Sequence, residues 1–218
     1  MPITQILLTA NTGTVGGNGT YTWDATPTEY ARPSGGSNPT LQSFLMPDGS
    51  TTKNLLVFNG TNYISTAGNA APAFSFNIWF YPTANNKALM AEQGSPVENT
   101  VYYYNMLEIN SSNRINAGVW NGDNISTITF LDTVNLNAWN HLYFYYASGE
   151  AGIELNGGTR ATTTTVRNNP TTSYFTFGSN IITYMSTNAR FQGRLGDVNI
   201  TSSNSGSNFV STKAVYGL

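Results

Sequence analysis

The sequence predicts an all-β chain, folded as two antiparallel sheets packed face to face in a jelly-roll sandwich. Three observations carry this. Apolar residues recur at a spacing of two in short runs, and a helical spacing is almost absent. The runs are rich in β-branched and aromatic residues. Clusters of Gly, Asn, Pro and Ser separate them, which is the punctuation of hairpins and sandwich loops. A chain of 218 residues suits one large sandwich, and at that size about 70% of the unfolded surface can be buried without a metal or disulfide staple.

The elements follow in order. Residues 1–53 carry Gly16-Gly17-Asn18-Gly19, Pro33 and Gly35-Gly36 and few apolar residues. They are expected as an N-terminal arm with leading strands near 3–9 and 21–23, or as strands that complete the sandwich; both readings stand at this point. Residues 54–218 form the sandwich, one compact domain overall. Strands are expected at 55–58, 103–109, 114–120, 126–131, 174–178 and 193–201. The clearest is 74–81, where Phe74, Phe76, Ile78 and Phe80 fall on one face and Ser75, Asn77, Trp79 and Tyr81 on the other. Pro82 ends it, having no N–H for the ladder. A second clear strand, 141–146, places Leu142, Phe144 and Tyr146 together, and Ile153 and Leu155 follow the turn at Ser148-Gly149. Asn156-Gly157 has the φ > 0 tolerance of a tight turn. In the last strand Leu195 is out of phase with Val198 and Ile200, so one extra residue near Gly196 predicts a β-bulge.

Composition narrows the function classes. Charged residues make up 9% of the chain and the net charge is −2, against about 25% charged residues in ordinary soluble domains. There is no basic footprint for nucleic acid or an anionic membrane, and no apolar run long enough to span a bilayer as a helix. Without cysteine, disulfides and thiolate zinc sites are excluded. The opening MPITQILLTANTG lacks a basic segment and has only a short apolar run, so synthesis without export is expected.

Six segments then occur in a familiar order: LLVFNGTNYIS at 55–65, FSFNIWFYP at 74–82, NAWNHLYFYY at 137–146, IELNGG at 153–158, FTFGSN at 175–180 and FQGRLGDVNI at 191–200. In order and spacing they resemble a laminin-G-like domain of the concanavalin A-like lectin/glucanase superfamily. The resemblance covers residues 54–201 and departs at Gly196, where the family often has an acid, and at Asn140, where it often has His. It implies a two-sheet jelly roll with a binding rather than a catalytic role. Sandwiches of this kind also occur on bacteriophage particles. With the low charge and missing thiols, that implies a non-enzymatic virion-surface protein, either a capsid decoration (cement) protein or a tail-fibre component. Its partners would be capsid or tail proteins and further copies of itself. The alternative is a carbohydrate-binding lectin or adhesin, and a minor one is a glycoside hydrolase.

The candidate residues follow from these readings. The core is expected to include Phe76, Trp79, Trp139, Phe144 and Leu155. Ile3, Ile6 and Leu7 are candidates for a partner-binding arm. Tyr103, Tyr143 and Tyr145 alternate along their strands and are candidates for a sugar or partner surface. Family relatives often hold rim calcium, for which Asp48 and Asp123 are candidates, although both also suit Asx turns; no other cofactor is expected. No catalytic residue is expected. The superfamily's glucanases resemble one another in an E-x-D-x-E strand, and the nearest match, Glu150-Ala151-Gly152-Ile153-Glu154, lacks the middle acid. On a straight strand those glutamates lie about 13 Å apart, beyond the roughly 5–9.5 Å of glycosidase pairs. His141, the single histidine, is expected to be structural.

Overall fold

The computed structural model describes residues 5–8, 14–15, 21–22, 29–30, 39–67, 72–93, 103–121, 125–168, 174–179 and 190–201. Seventeen strands fall within them: β1 Gln5–Leu8, β2 Thr14–Val15, β3 Tyr21–Thr22, β4 Glu29–Tyr30, β5 Thr40–Leu45, β6 Thr52–Asn59, β7 Ile64–Ala67, β8 Phe74–Pro82, β9 Lys87–Gln93, β10 Tyr103–Ile109, β11 Arg114–Trp120, β12 Ile125–Thr133, β13 Asn140–Ala147, β14 Glu150–Leu155, β15 Ala161–Thr164, β16 Tyr174–Phe177 and β17 Gln192–Thr201. There is no helix among the described residues. An eight-stranded antiparallel sheet runs β15-β14-β13-β8-β17-β6-β5 with β1 also on β17, and a six-stranded sheet runs β12-β11-β10-β9-β16-β7. A small sheet joins β2, β3 and β4.

The core lies between the two large sheets. Phe74, Phe76, Ile78 and Phe80 of β8 point inward with Leu142 and Phe144 of β13. They meet Leu107, Ile115, Phe130, Phe175 and Phe177 from the other sheet. Phe74 stacks on Phe76 at 4.6 Å between ring centroids, and Phe76 meets Phe144 and, across the sandwich, Phe175 edge-on at 5.7 and 5.9 Å. Each such ring contributes about 1.5–3 kcal/mol by leaving water, and edge-on pairs add about 0.5–1.5 kcal/mol. The core side chains expected from sequence sit at Phe76, Phe144 and Leu155 in this cluster. Trp79 is buried in a second, smaller cluster with Met46 and Leu55.

Two hairpin details match local chemistry. Ser148 and Gly149 both have positive φ, 52° and 82°, the geometry of a two-residue type I′ turn between β13 and β14. The pairing of β17 with β8 slips by one residue between Leu195 and Val198, so the bulge lies at 196–197. It returns Val198 to the interior beside Leu195.

The N-terminal segment differs from a free arm. β1 pairs in register with β17, Ile6 opposite Ile200 and Leu7 opposite Asn199, so the backbone groups of Ile6 and Leu7 are engaged inside their own sheet. Ile3 lies outside the described residues. β5 pairs along its whole length with β6, so strands on both sides of residue 54 build the same sheet. β2, β4, β5, β7, β9 and β15 were not expected from sequence. β7 and β15 are four residues long, and β9, KALMAEQ, does not alternate. Its pairing slips against β10 between Leu107 and Glu108, and the neighbours Leu89 and Met90 are both buried.

An ion pair lies at the sandwich interior. Glu92 pairs opposite Phe175, and the Arg167 guanidinium donates from Nη2 to both Glu92 oxygens at 3.3 and 3.0 Å, with both side chains fully buried. Arg167 also lies 5.2 Å over the Phe74 ring, and its backbone N–H donates to the Tyr146 hydroxyl at 3.0 Å. Removing one partner strands a charge in a low dielectric. Arg167→Leu is therefore expected to lower stability by about 3–5 kcal/mol. Arg167→Leu combined with Glu92→Met should recover most of that loss, as read by urea unfolding of both variants.

Candidate binding surface

Of the tyrosines that the sequence offers as a sugar or partner surface, Tyr143 and Tyr145 lie on the outward row of β13 in the eight-stranded sheet. The structure corrects the expectation of a surface. Tyr143 and Tyr145 are 0% and 4% exposed, with rings stacked at 5.6 Å. The physical reason lies in β14: Gly152 pairs opposite Tyr145, and a Cβ at Gly152 would lie 2.2 Å from the Tyr145 ring. The missing side chain is the seat of the ring. Tyr145 then donates its hydroxyl to Glu150, and Arg160 closes the stack. Arg160 lies 5.2 and 5.3 Å over the two rings and bridges to Glu154 at 3.2 Å. Burial, followed by the Glu150 contact, pushes the Tyr145 phenol up to about 12. The two glutamates are thus tied to a tyrosine and an arginine, and the ring occupies the place between them. Tyr103 lies on β10, and its side chain is outside the described set.

His141 lies on the same outer row, 1% exposed and with its ring 4.9 Å from Trp79. Burial holds its pKa down at about 3, so the imidazole is neutral in the folded protein.

The loop before β13 builds a different aromatic group. Asn137 takes positive φ, 55°, and donates its N–H to the Pro82 carbonyl at 2.8 Å. Asn140 is wholly buried and uses both ends of its amide. Its Oδ1 accepts from Asn135 N–H and Asn156 Nδ2 at 3.0 Å each, and its Nδ2 donates to the Asn135 and Ala138 carbonyls at 2.8 and 3.0 Å. This staple fixes Trp139. The indole N–H donates to the Leu45 carbonyl at 2.8 Å, and a Cβ at Gly196 would come within 3.1 Å of the indole ring. Trp139 is half-buried, packed at the edge of the second cluster, where the sequence had placed it in the core.

Around Trp139 three half-buried rings converge. Phe44 and Tyr81 are 4.9 Å apart, Tyr81 and Trp139 5.8 Å, and Phe44 and Trp139 6.1 Å, all edge-on. Arg194, opposite Tyr81 across the β17–β8 ladder, lays its guanidinium carbon 4.0 Å over Phe44 and 5.6 Å from Tyr81. Leu45 beside them is 48% exposed. Sequence reasoning missed this group because Phe44 sits on a strand without a signal and Tyr81 at a strand end. The readable clues were Gly196 and Asn140, the two positions where the family pattern and this chain part.

The opposite sheet carries a polar row in register across three strands. Asn116 Nδ2 donates to Glu108 at 2.8 Å, and Thr129 Oγ1 and Asn110 Nδ2 donate to Asn116 Oδ1 at 2.9 and 3.2 Å. Burial raises the Glu108 pKa. The Asn116 amide is already engaged on both sides, so this row presents fewer open groups to a ligand. Asp48 is likewise engaged: its Oδ1 accepts the N–H groups of Ser50 and Thr51 at 2.9 and 2.7 Å. Hydrogen bonds from Thr51, the largest cause, lower its pKa. Asp123 lies outside the described residues, among which no group of three His, Cys, Asp or Glu could hold a metal.

Residues 58–205 match the laminin-G-type family model described as the Concanavalin A-like lectin/glucanases superfamily. The chain belongs to that superfamily. Solved structures of low identity share the concanavalin-like sandwich. Domain 4 of AbnA, a GH43 extracellular arabinanase from Geobacillus stearothermophilus in complex with arabinotriose, is 13% identical with a TM-score of 0.55, covering 90% of this chain and 81% of that one. The Ruminococcus gnavus IT-sialidase CBM40 bound to α2,3-sialyllactose is 14% identical with a TM-score of 0.54, over 68% and 84%. The binding domain of botulinum neurotoxin DC, in complex with rat synaptotagmin II, is 13% identical with a TM-score of 0.56, over 98% and 51%. No curated protein matches by sequence.

Two outcomes follow. His141 binds a proton in the unfolded chain below about pH 6.5 but in the folded one only near pH 3. Stability is therefore full above pH 6.5 and declines as pH falls towards 3. Denaturant titrations at stepped pH should show this slope, and His141→Gln should flatten it. Trp139→Ala should cost about 2 kcal/mol in thermal melts, below the about 3–5 kcal/mol of a fully buried tryptophan.

Proposed function

We propose that this superfamily member is a non-catalytic, lectin-type module that binds glycan on the surface formed by Phe44, Tyr81 and Trp139. The observation that carries the reading is the convergence of three half-buried rings on an outer sheet face, held by the Asn140 staple and the Gly196 seat. Rings fixed before the ligand arrives lose little entropy on binding, and they offer apolar faces to the C–H side of a sugar. Two of the similar structures, the arabinanase domain and the sialidase CBM40, hold oligosaccharides, which supports a saccharide ligand. The non-catalytic part of the reading is supported by Gly152 and the Tyr145 ring between the only glutamate pair of the expected strand.

The location proposed for the module is a virion surface, as a decoration or fibre component that also self-associates. The support is compositional: 9% charged residues, no cysteine, and a sequence rich in Asn, Ser and Thr. Mass spectrometry of purified particles carrying the gene tests this part separately.

Glycan-array screening, with and without calcium, should give a defined set of hits. Tyr81→Ala and Phe44→Ala should each weaken the best hit about tenfold, the equivalent of a single stacking contact. An array without hits, or hits untouched by both substitutions, would sink the assignment of this surface.

A further inference from the structure

The feature of the ring cluster that its packing does not explain is Arg194. Its guanidinium lies flat against Phe44 at 4.0 Å and borders Tyr81 at 5.6 Å. Its Nε is buried and makes no hydrogen bond, a property it shares with the Nε of Arg167, but no carboxylate or carbonyl among the described residues meets its guanidinium. Neither the Arg160–Glu154 nor the Arg167–Glu92 ion pair involves it. The contrast with the other arginines is informative. Arg160 also rests on two rings but is matched by Glu154, Arg167 rests on Phe74 but is matched by Glu92, and Arg190 rests on Tyr63 but donates to the Thr61 carbonyl at 2.6 Å. Arg194 is stacked as they are and lacks their acceptor.

A buried donor without an acceptor costs about 1–3 kcal/mol and calls for an explanation. A guanidinium presents five N–H groups in a fixed fork that fits a carboxylate in two parallel hydrogen bonds. Stacking on Phe44 fixes the plane of the fork in advance. The bulge at 196–197 places Gly196 next on the same outer face, where Trp139 occupies the space a side chain would fill. A planar anion acceptor and an apolar ring face are thus called for side by side.

We propose that Arg194 is the anion-binding point of this surface and that its ligand is a carboxylated saccharide, the carboxylate on the guanidinium and the sugar ring against Tyr81 and Trp139. This rests on the reading of the same surface as the glycan site and specifies the class of glycan. A free inorganic anion would use the guanidinium but not the rings, and a neutral sugar would use the rings but leave the guanidinium fork without an acceptor.

The test uses isothermal titration calorimetry on the whole chain, with an oligogalacturonide, its methyl ester, sialyllactose, lactose and inorganic phosphate. The ester keeps the ring and removes the charge, so this comparison needs no variant. The acid, either the uronate or the sialoside, is expected to bind about 10- to 100-fold tighter than its uncharged counterpart, the span of a charge-assisted hydrogen-bond pair. Arg194→Gln should abolish that preference, and Arg194→Lys, which keeps the charge without the fork, should restore only part of it. Thermal melts confirm that each variant is folded. If acid and neutral forms bind equally, or Arg194→Gln keeps the preference, the proposal is overturned while the glycan reading stands. Binding of phosphate as tightly as of the acidic sugars overturns the saccharide part. No binding to any saccharide overturns both.

Discussion

The structure depends on β8 being buried on both faces. Strands with one wet face alternate, and register errors there are merely unfavourable. On β8 the inward row is Phe74, Phe76, Ile78 and Phe80, while Ser75, Asn77 and Trp79 on the outward row are also shielded. A slip of one residue would put a hydroxyl, an amide and an indole into the phenylalanine layer. The register with β13 and β17 is therefore fixed from two sides, and both partner strands inherit it. Everything on the outer surface follows. β13 brings His141, Tyr143 and Tyr145 onto the same side as Trp79, and β17 brings Arg194 opposite Tyr81.

This arrangement also shows how a chain with so few charges builds polar structure. Asparagine does the work that ion pairs do elsewhere. Asn86, Asn113, Asn137 and Asn156 adopt the left-handed conformation at turns, which Asn tolerates better than other side chains. Asn140 holds the Trp139 loop by four hydrogen bonds from one buried amide. Three groups of charge among the described residues sit at special places: a shielded pair in the interior, an arginine sealing the tyrosine stack, and an arginine on Phe44 with no carboxylate. Arg160, Arg167 and Arg190, which also rest on rings, each meet an oxygen acceptor, and Arg194 does not.

Much of the sandwich was legible because alternation is a local property. The strands 74–81, 103–109 and 114–120 and the bulge near Gly196 were visible in spacing alone. What was not legible depends on contacts between distant segments. Nothing in TLQSFL says that Phe44 will meet Tyr81 and Trp139, because that meeting depends on how segments distant in sequence come together in the folded chain. The tyrosine surface failed for the same reason. Alternation correctly turned Tyr143 and Tyr145 away from the inner core, but it has no knowledge of the glycine across the ladder that lets a ring lie down and be sealed by Arg160. Facing outward and being accessible are separate facts, and sequence speaks only to the first.

The Gly152–Tyr145 contact has a consequence for how such chains can change over generations. A carboxylate at 152 and an aromatic ring at 145 claim the same volume, so the two states are mutually exclusive neighbours in sequence space. A lineage moving between them must pass through a small residue at both positions, leaving a gap on the sheet, or through a chain in which the ring has been forced off its seat. Each intermediate is less stable than either end. The order of substitution is therefore biased: a tyrosine that yields first leaves only a gap, whereas a glycine that grows first must displace a buried ring. A single glycine thus acts as a ratchet on the history of the strand.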